Sequence, residues 1–193
     1  MANKVIFGLE NVHIAFMDTE APEQPAWKTP VKIPGAVSFS PSPEGDENTF
    51  YADNGPYFKV TTNNGYTAEL EMALIPDDVL AEMMGWRIDS NGMLVENADA
   101  MPKEFALLGE VKGDSKNRRF VYYRCTAARS DEEHNTQEDT ITPDTTTLTI
   151  TILPIEIDGE NVIKGVIELN DTNATVFNSF FTSVLVPATV VIP

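Results

Sequence analysis

The chain has 193 residues, 42% of them hydrophobic, with 30 Asp and Glu against 13 Lys and Arg for a formal net charge of −17. That length and apolar share suit one domain with its own core and argue against wholesale disorder. The acidic balance excludes a chain that wraps nucleic acid by neutralising phosphates or docks on anionic membrane, since both need a basic footprint; its plainest use is solubility.

The opening residues Met1-Ala-Asn-Lys-Val-Ile-Phe-Gly-Leu-Glu hold no secretory apolar stretch or small-residue cleavage site, so no export is expected. No apolar run reaches membrane-spanning length. Strands are predicted over residues 4–9 and 11–17, which are rich in β-branched and aromatic side chains. After an irregular stretch at 18–30, strands are predicted over 31–40 and 57–62, separated by a second irregular stretch at 41–56. Residues 65–74 alternate strictly: Tyr66, Ala68, Leu70, Met72 and Leu74 share one face, and Thr67, Glu69 and Glu71 the other. That is a strand with one buried and one wet side.

A helix follows. Pro76 sits where the first helical residue belongs, Asp77 and Asp78 face the positive end of the dipole, and Gly85 supplies a left-handed stop. Val79, Leu80, Met83 and Met84 make its apolar stripe, which must lie against a sheet because so short a helix is unstable alone. Strands are predicted over 104–112 and 118–129, joined by a hairpin turn at Gly113-Asp-Ser-Lys-Asn. A third irregular stretch covers 130–146. In 145–153, Leu148, Ile150 and Ile152 alternate with Thr147, Thr149 and Thr151, and a last strand is predicted over 161–169. A second helix is expected over 175–185, where Val176, Phe180 and Val184 recur at i, i+4, as do Phe177 and Phe181. The fold expected is mainly β, an antiparallel β-sandwich or open barrel with one flanking α-helix and long loops, in a single domain over 1–193.

Three long stretches without periodicity are uncommon in one modest domain. Either they are ordinary surface loops, or they order only against neighbouring copies. Trp27, Phe50 and Tyr51 favour contact with neighbours, because rigid aromatics anchor interfaces; with Asp53 they are the candidate subunit-contact residues.

Little points to catalysis. The single Cys125 cannot form an intrachain disulfide and reads as a buried small hydrophobe. His13 and His134 lack metal-type partners, and nothing local supports a Cys125–His134 nucleophile pair. Asp89-Ser-Asn-Gly-Met-Leu-Val-Glu resembles a calcium loop, but its Gly and Glu fall too early for an EF-hand, so it reads as a turn. Lys112, Lys116, Arg118, Arg119, Arg124 and Arg129 form a basic segment interleaved with Phe120, Tyr122 and Tyr123. It lacks the Gly of an RNA-binding strand and is expected to pair with acidic loops. The sequons at Asn170 and Asn173 carry little weight without a secretory signal. No enzyme, cofactor or metal is expected.

The segments Pro34-Gly-Ala-Val-Ser-Phe-Ser, Pro43-Glu-Gly-Asp-Glu, Phe50-Tyr-Ala-Asp-Asn-Gly, Asn63-Asn-Gly-Tyr and Leu74-Ile-Pro-Asp-Asp follow one another in that order. Gly92-Met-Leu-Val-Glu-Asn-Ala-Asp, Phe105-Ala-Leu-Leu, Gly113-Asp-Ser-Lys-Asn-Arg-Arg, Thr136-Gln-Glu-Asp-Thr-Ile and Thr147-Leu-Thr-Ile continue the series. Across roughly 4–154 the chain resembles the major tail proteins of bacteriophages with long flexible, non-contractile tails; Ser130 departs from the pattern, where Pro would follow the Arg. The resemblance implies a tail-tube β-sandwich whose copies close sixfold rings around a lumen and stack into the conduit for DNA ejection. It implies residence in the virion after assembly in the host cytoplasm. Implied partners are further copies of the chain, tape-measure, tail terminator and distal tail proteins, and double-stranded DNA passing without specific binding. No catalytic residue comes with it. Residues 41–56 are then the expected main inter-ring loop. An acidic or neutral lining would let DNA slide, so Glu69, Glu71 and Asp114, with Glu156 and Asp158, are the lumen-facing candidates. The alternative is a virion-associated β-sandwich binding module of glycan or baseplate type, for which Trp27, Phe50, Tyr51 and Tyr57 would have to share one exposed face.

Overall fold

Alternating apolar and polar side chains put most of this chain into antiparallel strands. The structure is a computed structural model describing residues 3–18, 24–130 and 144–188. In chain order the elements are β1 (Ile6–Phe16), β2 (Val31–Lys32), β3 (Ala36–Glu44), β4 (Glu47–Ala52), β5 (Gly55–Thr61), β6 (Gly65–Met72), α1 (Asp77–Met84), β7 (Arg87–Ile88) and β8 (Leu94–Val95). They continue with β9 (Phe105–Gly113), β10 (Arg118–Ala127), β11 (Thr146–Ile152), β12 (Ile155–Ile157), β13 (Glu160–Val162), β14 (Lys164–Glu168) and α2 (Ala174–Asn178).

The main sheet runs β2-β1-β9-β10-β11-β6-β3 and branches at β10. The first half of β10 pairs with β14 and its end with β11, while β9 lies along the other side. The pairing of β10 with β9 shifts register between Tyr122 and Cys125, the same stretch at which its other side passes from β14 to β11. The sheet curls until β3 comes near β1. Inside the curl, Val12, Ile14, Leu70, Met72, Leu107, Cys125, Leu148 and Ile150 form the main core, to which α1 adds Val79, Met83 and Met84. On the outer side of β1, β9 and β10, a second cluster joins Ala15, Ala106, Leu108, Val121 and Tyr123 to Ile157 and Phe180 from the C-terminal part. Those three strands are buried on both sides, which explains the unbroken apolar run in residues 105–108.

Several expectations shift by a residue or two and others change in kind. The strand expected at 31–40 is two, β2 and β3, at opposite ends of the main sheet, and that expected at 161–169 falls into β13 and β14, which pair with different strands. The strands expected at 4–9 and 11–17 are one strand, β1, kept continuous by irregularities at Phe7/Leu9 and Glu10/His13. Pro76 is extended (φ −56, ψ 138) and precedes the helix, which starts at Asp77; Gly85 does end it, at φ 71. A Cβ on Gly85 would lie 2.4 Å from the Met101 carbonyl oxygen, so no larger residue fits. The second helix is a single turn over Ala174–Asn178, with Phe177 and Phe180 buried from a turn-rich path and not from one helical stripe. Residues 41–56 are not a loop: they hold the end of β3, all of β4 and the turn into β5. Pro41 and Pro43 hid this, yet β3 has a single neighbour, and an edge strand tolerates residues with no N–H to give. The described part of 18–30 lies against β1, with Met17 bridged to Trp27 and the Lys28 amide donating to the Phe16 carbonyl. The third stretch falls mostly at 131–143, outside the described residues, as does His134.

Candidate functional site

Strand pairing builds a polar panel on the outer face of β3, β6 and β11. Ser38 stands opposite Glu71, Ser40 opposite Glu69 and Ser42 opposite Thr67. On the other side of β6, Thr147 faces Glu71, Thr149 faces Glu69 and Thr151 faces Thr67. Directly paired residues of an antiparallel sheet project to the same side. The panel thus holds seven hydroxyl side chains and two carboxylates, without a basic or aliphatic member. Hydrogen bonds knit it: Ser38 Oγ donates to Glu71 at 3.2 Å, Thr145 Oγ1 to Glu71 at 2.8 Å, and Thr67 Oγ1 to Glu44 at 2.7 Å. Its inner face carries Ala68, Leu70, Met72, Leu148, Ile150 and Ile152, all in the core.

Of the lumen-facing candidates, Glu69 and Glu71 meet on this panel. Asp114 does not: it sits in the β9–β10 turn, accepting the Lys4 backbone N–H at 2.8 Å. Asn3 clasps the same turn, accepting the Ser115 and Lys116 amides and donating to the Lys116 carbonyl. Glu156 and Asp158 belong to the β12–β13 hairpin, beside the second cluster.

Beyond the panel, the β3–β6 ladder continues outward. The Asn64 amide donates to the Glu44 carbonyl and the Thr62 amide to the Asp46 carbonyl, both at 2.9 Å, and β4 and β5 then pair as a hairpin. Six residues of strand reach about 20 Å. Asp53 and Asn54 close the tip with positive φ, the backbone of a tight two-residue turn. β4 and β5 contact chiefly each other. Phe50, Tyr51, Tyr57 and Phe58 are 62%, 67%, 73% and 60% exposed. Phe50 and Phe58 pair directly and share a face, whereas Tyr51 pairs with Pro56 on the opposite one. Trp27, grouped with them from sequence, is spent inside its own chain: its indole N–H donates to the Tyr123 carbonyl at 3.1 Å and its ring packs 5.8 Å from that of Tyr123.

Sequence reading missed a buried ion-pair cluster. Arg119 and Glu110 are paired across β9 and β10 with side chains 16% and 4% exposed. Asn117 donates to the second Glu110 oxygen at 2.7 Å. The guanidinium lies 4.0 Å over the Phe177 ring and 4.7 Å over Phe181, and also donates to the Phe177 carbonyl. His13 stacks on Phe181 at 4.4 Å; burial and the nearby Lys32 and Arg119 charges outweigh its bond to the Asn11 carbonyl and hold its pKa down. This cluster fastens the C-terminal segment to the sheet. Cys125 is fully buried, and burial pushes its thiol pKa well up, leaving no nucleophile there. Asp89 closes the β7–β8 turn, accepting the Asn91 and Met93 amides. Among the described residues, no group of three His, Cys, Asp or Glu is placed to hold a metal, and no helix is long and apolar enough to cross a membrane. No protein-family model matches the chain, and no curated protein matches it.

Proposed function

We propose that this chain is a structural subunit that assembles with copies of itself into stacked rings, forming a phage-type tail tube through which DNA passes. The hairpin carries the reading. Four large aromatics stand in water on an arm whose two strands, among the described residues, contact chiefly each other, and exposed apolar surface of that kind marks an interaction site. Aromatics on both faces suit insertion between neighbouring subunits better than the one-sided platform of a glycan-binding module.

The panel supports the conduit. Duplex DNA carries one negative charge per roughly 1.7 Å of axis, and each lysine or arginine facing it would bind phosphate. A wall of Ser, Thr and Glu offers no such grip, so DNA would slide along it. The resemblance to tail proteins adds the sixfold ring, the virion location and the tape-measure, terminator and distal tail partners. Electron microscopy of concentrated purified protein tests the proposal. Rings or hollow cylinders are the expected outcome, and particles that stay single at every concentration would refute it.

A further inference from the structure

At the open mouth of the curled sheet lies a groove of about 360 Å³, within the usual range for binding clefts of roughly 300–1,000 Å³. Ile6, Phe39, Pro41, Phe120 and Val166 line it together with the basic Arg118 and Lys164. Phe39 and Phe120 stack at 5.6 Å, and Gly109, opposite Phe120 on β9, lets that ring lie flat on the sheet. Lys164 rests its ammonium 4.9 Å over the Tyr66 ring, and among the described residues it forms no ion pair. Ile6 and Val166 are 54% and 50% exposed, so the groove is open and apolar.

We propose that this groove receives the β4–β5 hairpin tip of a second copy of the chain. The inference rests on the reading of the protein as a self-assembling subunit, and adds where on the neighbour the hairpin docks. Two complementarities select the occupant. The hairpin brings exposed aromatic side chains to an exposed apolar slot. Between Glu44 and Thr62 it also carries Glu44, Asp46 and Asp53 besides the Glu47–Lys59 ion pair, while the slot offers Lys164 and an Arg118 already paired with Glu168. Among the described residues, none of the hairpin lines its own chain's groove, and its aromatics stand in solvent. A contact between two different surfaces of the same chain is head-to-tail, and it propagates as an open stack when its rotation does not close into a ring.

Cysteine cross-linking between two differently marked chains tests the docking. Cys125 is buried and gives no background. Chains carrying Tyr51→Cys are mixed with chains carrying Val166→Cys under mild oxidation, with a parallel mixture of Tyr51→Cys and the surface variant Ser90→Cys. A band shift from one chain to two in the first mixture, well above the second and reduced by Lys164→Glu, is the expected result. If the unmodified protein forms rings or tubes while the first mixture links no better than the second, another surface receives the hairpin: this docking is overturned and the self-assembly reading stands. Failure of the unmodified protein to assemble at any concentration overturns both.

Discussion

Arg119 does three jobs at once: it neutralises Glu110, covers Phe177 and Phe181, and donates to the Phe177 carbonyl. Removing one partner of a buried pair leaves an uncompensated charge, so Arg119→Met should cost about 3–5 kcal/mol of stability by urea unfolding. Replacing both, as Arg119→Met with Glu110→Met, should cost clearly less than the two single changes summed, because no charge is then stranded. Gly109 meets a close packing demand in the sheet, since a Cβ there would lie 2.5 Å from the Phe120 ring. Gly109→Ala must push that ring off its seat, and a loss of about 1–3 kcal/mol is expected, as for overpacked cores. His13 sets a pH dependence. Its pKa is lowered on folding, so the unfolded chain binds the proton more readily. Its contribution is therefore complete above the unfolded value of about 6.5 and is lost as pH falls through the folded value. Melting temperatures followed from pH 7.5 to 5 should fall more steeply for the native protein than for His13→Gln; parallel curves would contradict this.

At the scale of elements, the hairpin and the core should respond independently. Phe50, Tyr51 and Phe58 lie outside both clusters, so changing all three to Ser should alter monomer stability by no more than about 0.5 kcal/mol per site, the usual range for surface changes. The same variant should no longer assemble. Periodicity reveals an element when one side is wet and the other dry. The strands expected at 65–74 and 145–153 therefore form, at 65–72 and 146–152, with Leu74 beyond the strand and 70% exposed instead of buried, and the helix ends at Gly85 as expected. It failed at 41–56, where Pro41, Pro43 and a run of acids look like a loop although β3 and the hairpin need no buried stripe to persist. It failed again at 175–185, where the two buried positions, Phe177 and Phe180, are satisfied by a turn folded onto the sheet. Trp27 could not be told from Phe50 by composition; their difference is a hydrogen bond to Tyr123, far away in sequence.

For the whole molecule, the pairing of β3, β6 and β11 matters most, because it gathers Ser38, Ser40 and Ser42, Glu69 and Glu71, and Thr147, Thr149 and Thr151 into one surface. Each strand's wet side was visible in its alternation, but their common face was not, since register between distant strands is set by the folded core. Asp114, Glu156 and Asp158 lie off that surface, in the β9–β10 turn and the β12–β13 hairpin. If the panel lines a conduit, Glu69→Lys with Glu71→Lys should leave assembly intact and make tubes retain duplex DNA, with a retention that weakens by a log–log salt slope of about 0.9 per phosphate contacted. Filter binding across a salt series would read it, and tubes of the double variant that hold no DNA would contradict the assignment. The central claim, that these subunits join through the projecting hairpin, is tested most directly by sedimentation velocity of the native chain and the Phe50→Ser, Tyr51→Ser, Phe58→Ser variant over one wide concentration range. The native chain should move into fast-sedimenting assemblies as concentration rises while the variant stays a monomer. Two proteins that sediment alike, whether both single or both assembled, would contradict the account.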